Sequence, residues 1–131
     1  MNMRIYRMVI TVMCSVVLTT TYAQTPKENL ITQAVRTGNA SLIAKYFENV
    51  IDFTFANSQS TFSHSQAEMV LKNFFRKNIP IGFDITDTGH TDINRSFYQT
   101  GTMTTSNGVF RVYISLKQKG NSYTVQEMRF E

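Results

Sequence analysis

Cysteine is nearly missing from this chain of 131 residues, with Cys14 the sole example. A single thiol closes no disulfide within its own chain, and no CxxC pair is present to hold a metal through thiolates. The residues before Cys14 are Thr11, Val12 and Met13. None is the small residue that precedes a lipid-modified cysteine in bacterial precursors, so lipidation is not expected. The apolar run over residues 8–18 is too short for a membrane-spanning helix, which needs ~20 residues. No stable membrane span is therefore expected. Missing too are HExxH, GxSxG and a phosphate-binding glycine loop. No cluster of Arg and Lys and no aromatic RNA-binding motif appears, so nucleic acid is not an expected partner.

The first residues read as an address rather than as structure. Arg4 and Arg7 supply positive charge, residues 8–18 an apolar core, and residues 19–23 a stretch ending in Ala23. That is the layout of a cleaved signal peptide, with cleavage expected after Ala23 and export to the periplasm or the extracellular space. Residues 24–131 then form one domain. Without Arg4 and Arg7 its net charge falls from +4 to +2, so the basic character is partly that of the signal. The domain has no thiol nucleophile. Its stability must come from packing, in a compartment that permits disulfides. A domain this size can remove ~60–70% of its unfolded surface from water.

Periodicity then lays out the elements. Thr25 caps a first helix, with Pro26 at its first position. Leu30, Ile31, Ala34 and Val35 form its apolar stripe, and Gly38 stops it. Asn39 caps a short second helix that buries Leu42, Ile43, Tyr46 and Phe47. The period changes at residues 50–56, where Ile51, Phe53 and Phe55 alternate with Asp52 and Thr54 as in a half-buried strand. Asn57, Ser58 and Gln59 read as a turn, and residues 60–62 as a returning strand. Ser65 and Glu68 make a capping box for a third helix with a stripe of Ala67, Val70, Leu71, Phe74 and Phe75. Pro80 ends that helix, because the residue before proline avoids the helical region. Strands are expected at residues 81–86, 94–104, 109–117 and 123–130. Ser106-Asn107-Gly108 and Lys119-Gly120-Asn121 form hairpin turns between the last three. Helices beside hairpin-linked strands predict an α+β domain, with a curved antiparallel sheet wrapped around three helices from the N-terminal half.

The bent helix pair in "RTGNASLIAKYF", the hairpin after it, "SQAEMVLKNFF" and the closing three strands resemble the nuclear transport factor 2-like superfamily, also called the cystatin-like cone. Within it, "AKYFENVIDF" and "SQAEMVLKNFF" are similar to a secreted bacterial family known as domain of unknown function 4783. The resemblance implies a cone and an export signal, and no activity. The superfamily holds enzymes, such as ketosteroid isomerase and scytalone dehydratase, beside non-catalytic binding and scaffold domains, and fold does not choose between them. Its enzymes work on the concave face. Many members pair through the convex face.

Alternation places Phe83, Ile85, Phe97, Gln99, Met103, Phe110, Val112, Ile114, Leu116, Gln126, Met128 and Phe130 on the concave face. Phe74 comes from the helix above. Of these, Phe74, Phe83, Phe97, Gln99, Phe110, Val112, Gln126 and Met128 are the expected pocket for a small apolar ligand. The convex face takes Asp84, Tyr98, Thr100, Thr102, Arg111, Tyr113, Tyr123, Glu127 and Arg129. Tyr98, Thr100, Arg111, Tyr113, Tyr123 and Arg129 are the expected interface for a protein partner or a second copy.

General acid–base chemistry needs a titratable group on the substrate, and the concave set has two neutral amides and no ionisable side chain. Asp84 and His64 are the remaining catalytic candidates. They would act with Tyr98 or Tyr113 if the domain were a dehydratase or isomerase on a small apolar substrate. Asp87, His90 and Asp92 are of metal-ligating types, but their Gly-containing segment has the composition of a turn, so neither metal nor cofactor is expected. Lys72, Arg76 and Lys77 suit the dipole at the end of the third helix. The expected function is an exported non-catalytic binding or interaction module, with the cone-type enzyme as the alternative.

Overall fold

The computed structural model describes residues 26–91 and 95–131. The expected signal peptide, Cys14, Thr25 and Asp92 lie outside them. The first helix, α1 (Pro26–Thr37), buries Ile31, Ala34 and Val35, while Leu30 stays exposed. Its end is closed twice. Gly38, at φ 67°, donates to the Val35 carbonyl (3.1 Å), and Asn39 donates to that of Ala34 (2.8 Å). Only glycine holds this left-handed position without cost, which is why the helix stops there. The Asn39 side chain then accepts from the Leu42 N–H (3.1 Å) and starts α2 (Ala40–Ala44).

Strand β1 (Phe47–Phe55) pairs antiparallel with β2 (Ser58–Ser63) across a turn at Ala56 and Asn57. The helix α3 (His64–Lys77) follows without a loop. Its capping box is Ser63 with Gln66, not Ser65 with Glu68. Both serines have a suitable partner three residues on. The ladder decides, because Ser63 is the last β2 residue paired to β1, opposite Val50. Glu68, released from capping, pairs with Lys72 one turn later at 3.1 Å. At the far end, the Asn78 amide donates to the Phe74 carbonyl (3.0 Å) and accepts from Asn107 (3.4 Å). Ser106 donates its N–H to Ile79 O (2.9 Å), so the turn between the middle strands is latched to the end of α3.

The remaining strands are β3 (Pro80–Thr91), β4 (Ser96–Thr105), β5 (Gly108–Lys119) and β6 (Ser122–Phe130). They form an antiparallel meander. β3 is longer than expected. Asp87, Gly89 and His90 are strand residues and not a turn. The six strands run in the order β2-β1-β6-β5-β4-β3. One junction departs from the expected antiparallel sheet, since β1 and β6 lie parallel. They are joined by most of the chain rather than by a hairpin, and a long connection imposes no antiparallel direction. Register shifts interrupt β1–β6, β3–β4 and β5–β6. Such bulges bend strands and raise their twist. The result is a curved, unclosed sheet with three helices.

The concave face packs against those helices. Phe83, Met103, Val112, Ile114, Met128 and Phe130 are 0–1% exposed. At that level none borders a space that admits a water molecule. Phe74 closes the mouth, its ring 4.5 Å from Phe130 and 5.3 Å from Phe110. The Phe83 ring lies over Gly101. A Cβ there would stand 2.5 Å from Phe83 Cε2 and 2.7 Å from the Asp84 carbonyl oxygen. The ring can yield, but the backbone carbonyl cannot move without disturbing the β3–β4 ladder. Gly101→Ala is therefore expected to lower stability by about 1–3 kcal/mol, as over-packing does. The measurement is the urea midpoint at unchanged slope. A wild-type midpoint would contradict this packing.

Candidate functional site

Of the eight expected pocket residues, Phe74, Phe83, Phe97, Gln99, Phe110, Val112 and Met128 lie in the core or packed against it, over the concave face or at its mouth. They fill one another's space rather than line a void. Gln99 is 5% exposed, and its Oε1 has no hydrogen-bond partner among the described residues. Buried carbonyls of this kind cost free energy when left unpaired.

Neither catalytic candidate reaches the interior. Asp84 is exposed on the outer face, opposite Thr102. His64 sits in the first turn of α3, half-buried, with its ring edge-on to Phe47 at 5.9 Å. Asp87 and His90 project from opposite faces of β3. Asp87 accepts from the Tyr98 hydroxyl (3.2 Å), whereas the His90 ring packs on buried Phe97 at 4.7 Å. Among the described residues no three His, Cys, Asp or Glu side chains gather as a metal site.

The eighth pocket residue, Gln126, and the interface residue Tyr123 are exchanged between faces. Ser115 pairs with Glu127, and Leu116 pairs with Val125, so Gln126 is an extra residue in β6. This bulge turns Val125 inward, fully buried, and brings Tyr123 against the core. Gln126 goes to the outer face beside Glu127. A one-residue insertion reverses every alternation before it.

The outer face of β3 to β6 carries a continuous rail of side chains. Asp87 accepts from Tyr98, and Tyr98 stacks on Tyr113 with centroids 6.0 Å apart and planes 24° apart. The Arg129 guanidinium lies 5.0 Å over Tyr113 and pairs with Glu127. The negative Asp87 raises the Tyr98 phenol above its ordinary 10.0, first through its charge and then through the hydrogen bond. Gly89 makes room for this rail, because a Cβ there would meet the Tyr98 ring at 2.3 Å. Thr100 faces Tyr113 across the ladder, and Arg111 is exposed opposite Thr102.

Beside the rail the sheet splits. β1 and β6 pair at Phe47 with Val125 and again from Asp52 with Glu127, leaving residues 48–51 of β1 against Gln126 alone. The gap is a notch of about 560 Å³. One wall is Glu48, Asn49, Val50 and Asp52, and the other is Ser115, Lys117, Lys119, Gln126 and Glu127. Glu48 bonds Lys119 Nζ (2.7 Å) and accepts from the Thr124 hydroxyl (2.7 Å). These two partners, Lys119 foremost, hold its carboxyl below the ordinary 4.5.

A carboxyl depressed in the folded state stabilises fully above its unfolded value, and the contribution is lost as pH falls through the folded one. Wild-type stability should therefore drop more steeply below pH 4.5 than that of Glu48→Gln. Urea midpoints across the acid range read this difference. Parallel acid limbs would remove the Glu48 pairing from the account.

No helix among the described residues is long and apolar enough to cross a membrane. No curated protein matches the chain. The family model described as domain of unknown function (DUF4783) matches residues 29–131. The crystal structure of a DUF4783 family protein from Bacteroides ovatus is 28% identical, with a TM-score of 0.73 over 77% of this chain and 90% of that one. Another DUF4783 family protein, from Bacteroides uniformis, is 23% identical, with a TM-score of 0.74 over 82% of this chain and 96% of that one. An NTF-2 like protein of unknown function from Silicibacter pomeroyi shares the fold alone, at 7% identity and a TM-score of 0.57 over 79% and 87% of the two chains. With its curved sheet and three helices matching theirs, the chain belongs to the DUF4783 family and has the nuclear transport factor 2-like, or cystatin-like, cone fold.

Proposed function

We propose that the chain is an exported, non-catalytic interaction module that pairs with a second copy through the outer face of β3 to β6. The observation that carries this is the rail from Asp87 through Tyr98, Tyr113 and Arg129 to Glu127, held in line across four strands. Tyr and Arg are favoured at interfaces, and side chains ordered in advance lose less entropy on docking. The charge layout adds to it. Asp84 and Asp87 lie on β3, while Arg111 and Arg129 lie on β5 and β6. A two-fold axis along β4, between two facing sheets, lays β3 of one copy over β5 of the other. Asp84 and Arg111 flank Thr102 from either side, so the operation brings each against its opposite charge.

Export rests on the layout of Arg4, Arg7 and residues 8–23. The dehydratase or isomerase alternative needs an acid or base facing an enclosed pocket. The buried inward positions of the strands are Phe, Met, Val, Ile and Leu with Gln99 and Thr105 as their polar side chains, and they are packed, while His90, on the same face as Phe97, is exposed near the end of β3. The same packing argues against a small apolar ligand within the cone.

Sedimentation velocity tests the pairing. A concentration-dependent dimer is expected. Arg111→Glu should weaken it by about tenfold or more through like-charge repulsion. The charge-swapped double variant, Asp84→Arg with Arg111→Glu, should restore it. A monomer at every attainable concentration, or a dimer indifferent to Arg111, would overturn the proposal.

A further inference from the structure

We infer that the notch between β1 and β6 binds a small zwitterion, of the amino-acid or short-peptide class. This goes beyond pairing through the outer face and does not depend on it.

The argument begins with what the notch leaves uncommitted. Three carboxylates and two ammonium groups line it, but most are already neutralised. Glu48 and Lys119 bond each other at 2.7 Å, and Glu127 is taken by Arg129 from outside the notch. Asp52 and Lys117 remain. The Asp52 Oδ1 accepts from the Thr61 hydroxyl (2.6 Å), and its Oδ2 has no hydrogen-bond partner among the described residues. Lys117 has no ion pair within bonding distance among them and acts on Glu48 only through space. One free carboxylate oxygen thus stands on the β1 wall and one free ammonium on the β5 wall. A ligand with its own ammonium and carboxylate satisfies both. A ligand of one sign gains from one wall and is repelled by the other.

The neutral groups fit the same class. Asn49 and Gln126 present amides and Ser115 a hydroxyl between the charged walls, which suits a ligand with an amide or α-amino group to bond. Residues 48–51 have no ladder partner on the β6 side, so backbone groups there are available to an extended ligand. Val50, 57% exposed, gives an apolar shoulder for a side chain. The volume of about 560 Å³ lies within the range of small-molecule sites. Irregularities in both ladders of β6 meet at Gln126, where ordinary pairing would have closed the gap.

The test is an amide NMR titration of the 15N-labelled full chain with glycylglycine. Saturable shifts confined to residues 48–52, 115–119 and 126–127 are expected. Succinate, with two carboxylates, and putrescine, with two ammonium groups, should bind about tenfold more weakly or not at all. Lys117→Gln and Asp52→Asn should each cost about tenfold in affinity. Lys117→Arg should retain binding, and dispersed amide spectra would show that each variant is folded. Absence of saturable shifts with glycylglycine, equal binding of succinate or putrescine, or full affinity in folded Lys117→Gln and Asp52→Asn would each overturn the inference.

Discussion

The parallel run of β1 along β6 joins two otherwise separate antiparallel units. On one side stands the β1–β2 hairpin, and on the other the meander of β3 to β6. Only Phe47 with Val125 and residues 52–55 with 127–130 are paired across the junction. Hydrophobic contact backs those few pairs. Phe53 lies opposite Met128 and Phe55 opposite Phe130, with the Phe55 and Phe130 rings stacked at 5.4 Å and Phe74 of α3 resting on both. The junction therefore brings α3, through its own hairpin, over the concave face. The ladders beside it are irregular at residues 48–51 and at Gln126, and the notch lies at those irregularities.

Two consequences follow for function. Aromatic and aliphatic side chains fill the interior, and among the described residues Gln99 and Thr105 are the polar side chains that the strands bury there. Specific polar geometry is found on the outside. The rail and the notch share Glu127 and lie side by side on β5 and β6. A fold whose enzymes use the hollow of the cone here has a solid cone and a structured outer surface. That is consistent with function residing in grafted sites rather than in the fold.

Much of this was legible in the residues alone. Alternation sorted β4 and β5 correctly, with Phe97, Gln99, Met103, Val112, Ile114 and Leu116 all inward. Helix stops at Gly38 and Asn78 and the hairpin at Asn107-Gly108 also stand where local chemistry put them. What stayed hidden depends on partners distant in sequence. Gln126 and Tyr123 read the wrong way round because the bulge at Gln126 depends on pairing with β1 and β5. Ser63 and Ser65 are locally equivalent caps, and only the pairing with Val50 separates them. Gly89 looked like a turn residue but is small because the Tyr98 ring covers it. The notch has no motif, since one of its walls comes from β1 and the other from β5 and β6, far apart in the sequence.

The central claim is that the cone is solid, which leaves the outer surface for the proposed recognition. Benzene and xenon enter dry apolar cavities in folded proteins, so a benzene titration followed through the methyl signals of Met103, Ile114 and Met128 tests it directly. The account predicts no saturable shift at these three buried residues. A saturable response at them, in protein that stays folded, would show an open cavity inside the cone and contradict it.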